Sequence, residues 1–487
     1  MNGGQKMLEN LSKTNVFKHF EELTKIPHGS GNEKEISDYL KNFGESLGLE
    51  TFQDNEMNII IKKPATKGYE NAPRVILQGH MDMVCEKNSN IEHDFLKDAL
   101  PIYIDGNLIK TKGTTLGADN GIAVAYMMNI LESSDIKHPS LTIIITSNEE
   151  NGMSGAIALS DEFLDSEILI NIDSEEEGEV LLSCAGGARN QIHIPYNSEK
   201  NYSNKCFEIS IQGLKGGHSG MDINKNRENG NKLLGRLLYN ISKEVEFNIV
   251  NIAGGSKMNA IPREANVIIS SKDNEKFEKV FNQEWERIEN EIIALEKNIV
   301  VSCKLNESNY EECMTIESSK NIIHTLYLIP NGVRSMSAIM EGLVESSTNL
   351  GIMSMDKENK KVVFESALRS SVQTKKEKMQ NEFDILANLF NGESIFTSSY
   401  PAWPLIEESK IKDLFVDTYK RMFNKVLKTN AIHAGLECGI FADKRKDLDM
   451  ISFGPNMHDV HSPDERLEID STNRMYDYLC EILENIK

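Results

Sequence analysis

Five short segments, spread from residue 78 to residue 465, contain acidic residues, and two of them also contain histidines. Imidazole and carboxylate groups bind metal ions, and a carboxylate can also act as a general base. Open α/β sheets place such residues at the ends of their strands. The segments are QGHMD (78–82), GADNG (117–121), SNEENG (147–152), NID (171–173) and HDVHSPDE (458–465).

His80 and Asp82 follow an apolar run that predicts a strand at 75–78. Alternate residues of a strand share a face, so the two side chains can point in the same direction. His80 could then bind a metal ion while Asp82 orients the imidazole. Triplets of this kind also occur by chance, so the pair alone is weak evidence for a site.

Each of the other acidic segments has a structural alternative. Asp119 could bridge two cations, or it could simply be the N-cap of the helix that follows it. Glu149 and Glu150 follow a predicted strand at 141–146. Two buried carboxylates would repel each other, and a metal bound to one would leave the other as a general base. The alternative is a solvated acidic turn.

The elements that position these residues alternate along the first third of the chain. Apolar, β-branched runs predict further strands at 58–62 and 168–172, and helical spacing predicts a helix at 118–132. Continuous apolar strands alternating with helices are typical of a mostly parallel or mixed sheet covered on both faces. The same pattern returns near the C-terminus. We therefore predict one α/β domain formed by residues 1–185 and 402–487.

Residues 186–401 have a different pattern and predict an inserted α+β domain. The small-residue stretch near Cys184 and the prolines Pro401 and Pro404 mark its two ends. Two α+β units follow each other within it. The first contains a predicted strand at 206–212 and a helix at 226–243. The second contains a helix at 316–328 and strands near 345–353 and 362–372.

Composition excludes several classes of function. The formal net charge of -22 disfavours binding to nucleic acid or to an anionic membrane. No apolar run approaches the length of a membrane span, and the N-terminus lacks the apolar segment of a secretory signal. The seven cysteines are odd in number and include no CxxC pair, which favours reduced thiols in the cytoplasm.

Taken together, the five segments resemble the M20 family of metallopeptidases, in particular its aminoacyl-histidine dipeptidase branch. The resemblance extends along the whole chain. Further matching segments are IPHGSGNE (26–33), KGTTLGADNGIA (112–123), GLKGGHSGMDI (213–223), KMNAIPREA (257–265), PNGVRSM (330–336), VESSTNLG (344–351), ALRSS (367–371) and HAGLECG (433–439).

The resemblance implies two metal ions held by five side chains. Asp119 would bridge the ions, one ion would add His80 and Asp173, and the other would add Glu150 and His461. Zinc suits these ligands best, and manganese or cobalt could replace it. Three carboxylates against two divalent cations leave about one net positive charge, which helps to stabilise a bound hydroxide.

The resemblance also implies a mechanism. Asp82 matches the family's orienting acid, and Glu149 matches the general base that takes a proton from a water bridging the metals. The expected activity is hydrolysis of dipeptides, including Xaa-His dipeptides such as carnosine. A tripeptidase or an N-acyl-amino-acid amidohydrolase of the same family is the alternative, followed by a non-catalytic metal-binding protein.

The inserted domain resembles the family's lid. His218 matches a histidine that stabilises the oxyanion, and Arg369 fits a clamp for the substrate's terminal carboxylate. Asn259 and Gly435 are expected to line the same pocket. A turn residue is the alternative for His218, and a strand-surface salt bridge for Arg369. The resemblance further implies small peptide substrates and a homodimer.

Overall fold

The structure, a computed structural model, describes Leu8 and residues 11–201, 205–406 and 408–487. The chain divides into two compact units, and the predicted boundaries after residues 185 and 401 lie beside two of the divisions between them. Unit 1 combines Met1–Cys184, Trp403–Ala431 and Leu436–Lys487, and unit 2 combines Ala185–Ala402 and Ile432–Gly435.

The N-terminal part of unit 1 alternates strands and helices. Its helices are α1 (Val16–Leu23), α2 (Lys34–Ser46), α3 (Ala118–Glu132) and α4 (Ser154–Ala158), with a 3-10 helix at Asp161–Leu164. Its strands are β1 (Glu50–Gln53), β2 (Ile59–Lys63), β3 (Val75–His80), β4 (Ile102–Asp105), β5 (Leu108–Thr111), β6 (Leu141–Thr146), β7 (Ile168–Asn171) and β8 (Glu179–Cys184).

Unit 2 follows in the chain and is rich in strands. Its strands are β9 (Gly186–Pro195), β10 (Ser198–Lys200), β11 (Cys206–Gln212), β12 (Gly217–His218), β13 (Phe247–Gly254), β14 (Ala260–Ile261), β15 (Ala265–Ser271), β16 (Val300–Asn306), β17 (Glu312–Met314), β18 (Gly332–Met336), β19 (Val344–Asp356), β20 (Lys361–Ser370) and β21 (Glu393–Tyr400). Its helices are α5 (Gly230–Ser242), α6 (Asn274–Ile292), α7 (Ile316–Leu328) and α8 (Gln373–Leu389).

The C-terminal part of the chain, most of which belongs to unit 1, completes the fold. Its helices are α9 (Lys410–Phe423), α10 (Glu437–Lys444) and α11 (Ile469–Asn485). Its strands are β22 (Lys428–Ile432), β23 (Asp449–Ser452), β24 (Met457–His458) and β25 (Arg466–Glu468).

The main sheet of unit 1 has eight strands in the order β1-β2-β6-β3-β7-β23-β8-β22. The four central strands, β6, β3, β7 and β23, run parallel, whereas β1, β2 and β8 pair antiparallel. All six residues of β3 are buried, as expected for a strand covered on both faces. The mixed sheet predicted from the sequence is therefore present, and the carboxyl ends of its parallel strands meet at one edge.

Helix α3 is apolar on nearly every side, and its residues from Gly121 to Leu131 are all buried. It packs against α1 and β3 at the centre of the unit 1 core. An α-helix that is hydrophobic all round belongs in the interior of a large domain. The predicted helix at 118–132 is confirmed, and its N-terminus is held in the core beside the sheet edge.

Unit 2 contains a nine-stranded antiparallel sheet in the order β16-β11-β15-β13-β19-β20-β9-β21, with β18 also paired to β19. Helices α5 to α8 contribute buried apolar residues to its core. The two successive α+β units expected from the sequence therefore share a single sheet, joined where β13 pairs with β19.

The small-residue stretch near Cys184 lies at a division between the two units, as predicted, and it continues directly into a strand. It forms β9, whose ten residues pair with β20 on one side and with β21 on the other. All seven cysteines lie in the described part of the chain and carry free thiols. Among the described residues, no helix is both long and apolar enough to cross a membrane.

Candidate active site

The predicted metal ligands of unit 1 converge in space. Candidate ligand atoms form three overlapping groups, and the atoms within each group lie within 4.8 Å of one another. The groups are His80 with Asp119 and Asp173, His80 with Glu149 and Glu150, and Asp119 with Glu150 and His461. Residues from the two ends of the chain therefore form one cluster.

His80, Asp119 and Asp173 form the first half of this cluster. The Nε2 atom of His80 lies 3.3 Å from Asp119 Oδ1 and 3.4 Å from Asp173 Oδ1. His80 is the last residue of β3, and Asp173 lies two residues beyond the end of β7. The two strands are parallel neighbours in which Gln78 faces Asn171, so their carboxyl ends bring the two side chains together.

His461 and Glu150 form the second half with the other oxygen of Asp119. The Nε2 atom of His461 lies 2.8 Å from Glu150 Oε1 and 3.1 Å from Asp119 Oδ2. His461 has a φ of 60°, and Asp459 a φ of 50°, so a tight turn presents the imidazole. Asp119 thus directs one carboxylate oxygen toward each imidazole, as a residue that bridges two cations would.

Asp82 supports both halves from a buried position. The Nδ1 atom of His80 lies 2.9 Å from the Asp82 carbonyl oxygen, which favours a proton on Nδ1 and leaves Nε2 to face the cluster. The Asp82 carboxylate accepts hydrogen bonds from Ser30 Oγ at 2.7 Å and from the backbone N–H groups of Glu149 at 3.0 Å and Glu150 at 3.3 Å. Asp82 therefore orients His80 and also holds the loop that carries Glu149 and Glu150.

The carboxylates of the cluster favour the binding of cations. In the described part of the chain, the ion pairs of Asp119, Glu150 and Asp173 are with His80 and His461 alone. The Glu150 Oε1 atom is buried, and its 2.8 Å contact with His461 Nε2 is an ion pair rather than a well-aligned hydrogen bond. Converging carboxylates and imidazoles with an unsatisfied oxygen fit divalent metal ions.

The pKa values of the cluster reflect this crowding. The close contacts with the carboxylates of Asp119 and Glu150 raise the pKa of His461 to about 11. Burial raises the pKa of Asp173 to about 6, and burial together with nearby carboxylates raises the pKa of Glu149 well above its usual value. These shifts favour proton binding at His461 and Glu149, since close carboxylates do not all ionise readily without positive charge beside them.

The structure does not support the two alternatives for the acidic segments, which were a helix N-cap for Asp119 and a solvated turn for Glu149 and Glu150. The Asp119 carboxylate faces imidazoles, and Asp119 and Asn120, joined by a cis peptide bond, have non-helical backbone angles at the start of α3. The backbone N–H groups of Ala118 and Asp119 donate instead to the carboxylate of Glu465. The sequence had not indicated a role for Glu465. The side chain of Glu150 is only 9% exposed, which excludes a solvated turn.

Two of the predicted substrate-binding residues are neighbours in unit 2. His218 in β12 pairs with Ala260 in β14, and the N–H of Ser219 donates to the carbonyl of Asn259 at 2.9 Å. The backbone N–H groups of Gly220 and Met221 donate to His218 Nδ1, each at 3.2 Å. With Nδ1 acting as the acceptor, the neutral ring carries its proton on Nε2, where it can donate to an anion.

The other two, Arg369 and Gly435, lie beside Tyr400 in the same unit. Arg369 donates from Nη1 to the Tyr400 hydroxyl at 3.3 Å, and its buried Nε has no hydrogen-bond partner among the described residues. A Cβ on Gly435 would lie 2.7 Å from the Tyr400 ring, so glycine makes room for the tyrosine. Among the described residues, the hydrogen-bond partner of the Arg369 guanidinium is the Tyr400 hydroxyl rather than a carboxylate, contrary to the structural alternative of a salt bridge.

His433, to which the sequence assigned no role, is also part of this region of unit 2. Its Nε2 atom lies 2.7 Å from Ser347 Oγ, and its buried Nδ1 has no hydrogen-bond partner among the described residues. Burial, with a contribution from the positive charge of Arg369, lowers the pKa of His433 to about 3. The ring is therefore neutral at physiological pH.

Comparisons with known proteins identify the family to which the chain is similar. Residues 76–485 match the model of peptidase family M20/M25/M40. The cytosol non-specific dipeptidase of Escherichia coli (strain K12) is 36% identical over 482 residues, which cover 98% of this chain and 99% of that protein. These matches span both parts of the chain that contribute to the cluster.

Solved structures extend the similarity to the fold. A crystal structure of aminoacylhistidine dipeptidase from Vibrio alginolyticus superposes with a TM-score of 0.90 and 36% identity, covering 100% of this chain and 99% of that one. Aminopeptidase PepT from Bacillus cereus superposes with a TM-score of 0.54 at 16% identity, covering 97% of this chain and 98% of that one. The latter similarity concerns the fold alone.

Proposed function

The chain belongs to peptidase family M20/M25/M40, and we propose that it is a metallo-dipeptidase of broad specificity that also accepts Xaa-His dipeptides. The observation that carries this proposal is the cluster in which Asp119 directs one oxygen toward His80 and the other toward His461. The names of two relatives support the substrate class, because both are called dipeptidases and both are 36% identical over nearly the whole chain.

The proposed site holds two divalent cations, with zinc as the best fit and manganese or cobalt as possible replacements. His80 and Asp173 would bind one ion, Glu150 and His461 the other, and Asp119 both. When bound, such ions supply Lewis acidity, which polarises a peptide carbonyl and lowers the pKa of a water molecule to roughly 7. The imidazole and carboxylate donor set supports this choice of metals.

Glu149 is the proposed general base. Its raised pKa means that its carboxylate holds a proton more readily than an exposed one does. It can therefore accept a proton from the attacking water and return it to the leaving amine. Asp82 would assist by binding the N–H of Glu149, which keeps that carboxylate at the cluster.

Residues of unit 2 are proposed to bind the substrate. His218, with its proton on Nε2, would donate to the developing oxyanion, and Arg369 would bind the terminal carboxylate in a bidentate way. Asn259 and Gly435 would contact the rest of the dipeptide. We also propose a cytoplasmic location, which the name of the Escherichia coli relative supports, and a homodimer.

Metal removal and a substrate panel test the proposal together. Treatment with a chelator should abolish hydrolysis of carnosine and of Xaa-Xaa dipeptides, and added zinc, manganese or cobalt should restore it. Rates on carnosine, Leu-Gly-Gly and an N-acetyl amino acid should rank the dipeptide first. Full activity in a metal-free sample would contradict the metal site, and a preference for Leu-Gly-Gly or the N-acetyl amino acid would identify one of the alternative activities.

A further inference from the structure

Glu465 is a buried acid whose partners are backbone amides. Glu465 is 2% exposed. It lies four positions after His461 and directly before β25. Its Oε2 atom accepts hydrogen bonds from the N–H groups of Leu116 at 2.6 Å and Gly117 at 3.1 Å. Its Oε1 atom accepts from Ala118 at 2.8 Å and Asp119 at 3.3 Å.

These four amides occupy the start of α3, where backbone N–H groups lack helical partners and the helix dipole favours a negative charge. An ionised carboxylate offers about four acceptor positions, and all of them are used here. A glutamine of the same shape offers one acceptor oxygen, and its NH₂ group would face two N–H donors. The arrangement therefore requires the carboxylate rather than side-chain volume alone.

The contact joins two loops that each carry a predicted metal ligand. Asp119 belongs to the segment whose amides Glu465 binds, and His461 belongs to the turn that precedes Glu465. The Oδ2 atom of Asp119 lies 3.1 Å from His461 Nε2. Next to Glu465, Arg466 and Leu467 of β25 pair with Lys110 and Ile109 of β5, so the backbone on this side is fixed.

We propose that Glu465 is a positioning residue for the metal centre, because it sets the distance between Asp119 and His461. The inference rests on the proposed function, since it presumes that these two residues bind metal. Glu465 need not touch metal or substrate. Its carboxylate instead holds the backbone of one ligand loop against the other, so that both ligands reach their positions before a cation arrives.

Binding of Zn²⁺ to the Glu465→Gln variant tests the proposal. Residues that support metal ligands typically contribute 10–100-fold to affinity, so we expect the zinc dissociation constant to rise about 10–100-fold. Competition with a chelating indicator measures it. The control is Asp464→Asn, which removes the same charge from an exposed neighbour and should change affinity by less than about 2-fold. Wild-type affinity in a folded Glu465→Gln variant would overturn the proposal.

Hydrogen exchange on the unsubstituted protein keeps the proposal testable if the variant does not fold. With zinc removed, the amides of residues 116–119 should exchange slowly, because Glu465 binds them without help from the metal. Exchange as fast as that of exposed amides would overturn the proposal. Slow exchange, together with weakened zinc binding in a variant whose circular dichroism matches wild type, would support it.

The outcomes separate this inference from the proposed function. Zinc affinity is measured without a peptide, so a wild-type protein that binds zinc but hydrolyses no dipeptide would contradict only the proposed activity. Equal zinc affinities of wild type and Glu465→Gln, in an enzyme that hydrolyses dipeptides, would contradict only the role of Glu465.

Discussion

The two units differ in how the charged side chains inside them are paired. In unit 1, the carboxylates of Asp119, Glu150 and Asp173 crowd together with only imidazoles as ion-pair partners among the described residues. In unit 2, the Lys232 ammonium donates to the carbonyls of Leu326, Tyr327 and Ile329 at 2.7–2.8 Å, at the end of α7. The first arrangement has three carboxylates for two imidazoles, whereas in the second the lysine is hydrogen-bonded to three carbonyls.

The difference indicates which buried charges have a function beyond folding. A lysine near the C-terminal carbonyls of a helix is favoured by the helix dipole and satisfies groups that lack helical partners. Carboxylates held close together oppose folding unless protons or cations join them. Unit 2 therefore uses Lys232 for stability, whereas under the proposed function the acids of unit 1 would bind cations.

The largest expected effect concerns catalysis within the acidic cluster. Glu149→Ala should lower kcat by about 10²–10⁴-fold, the usual contribution of a general base, while the zinc content stays at the wild-type level. Steady-state kinetics and metal analysis of the same samples measure both quantities. Glu162→Ala, which removes an exposed acid of the 3-10 helix, is the control and should be nearly neutral.

Two outcomes would change this assignment. An unchanged kcat would mean that Glu149 is not the base. Loss of zinc together with activity would make Glu149 a metal ligand, an arrangement that its position with His80 and Glu150 permits.

The next effect concerns Glu437, a buried acid of α10 in unit 1. Its Oε2 atom accepts hydrogen bonds from Gln78 Nε2 at 2.5 Å and Thr146 Oγ1 at 2.7 Å, whereas its buried Oε1 has no partner among the described residues. Burial raises the pKa of Glu437 from 4.5 to about 8. Since the folded protein favours the protonated acid, this stabilisation is complete below pH 4.5 and is lost as the pH rises toward 8.

Glu437→Gln should remove that pH dependence. One pKa unit corresponds to about 1.4 kcal/mol, so the shift sets an upper limit of roughly 5 kcal/mol. Urea unfolding of metal-free protein at pH 5 and pH 8.5 measures the free energy of unfolding for both proteins. Wild type should lose stability relative to the variant at the higher pH. An equal difference at both pH values would show that Glu437 is already ionised at pH 5.

The smallest expected effect concerns the hydrogen bonds of Lys232 in unit 2. Lys232→Met should lower the free energy of unfolding by about 1–3 kcal/mol, because three hydrogen bonds are lost and the three carbonyls are left without this donor. Zinc affinity should not change. The control is Lys320→Met, whose ion pair with Glu246 is exposed and should contribute no more than about 1 kcal/mol. If both variants lost the same free energy of unfolding, Lys232 would contribute no more than an exposed lysine, and the contrast drawn between the two units would be wrong.

Local sequence patterns predicted much of the fold. Helices α3 and α7 and strands β6 and β11 occupy the predicted residues, because their apolar spacing agrees with the way they are buried. Strand β9 was missed because its glycine-rich start resembles a loop, and its pairing with β20 and β21 depends on residues far away in the chain. A different distant pairing, that of β13 with β19, joined the two expected α+β units into one sheet.

Residue types and apolar spacing were enough to identify the side chains available for chemistry and most of the strands and helices around them. Folding was needed to show that His80 and His461 face opposite oxygens of Asp119 and that Glu465 joins the two ligand loops. It also showed that Tyr400 and His433 lie beside the expected substrate-binding residues. The physical reason is that such contacts depend on strand register and on backbone amides at the start of a helix. Neither leaves a signal in the spacing of residues more than 300 positions apart.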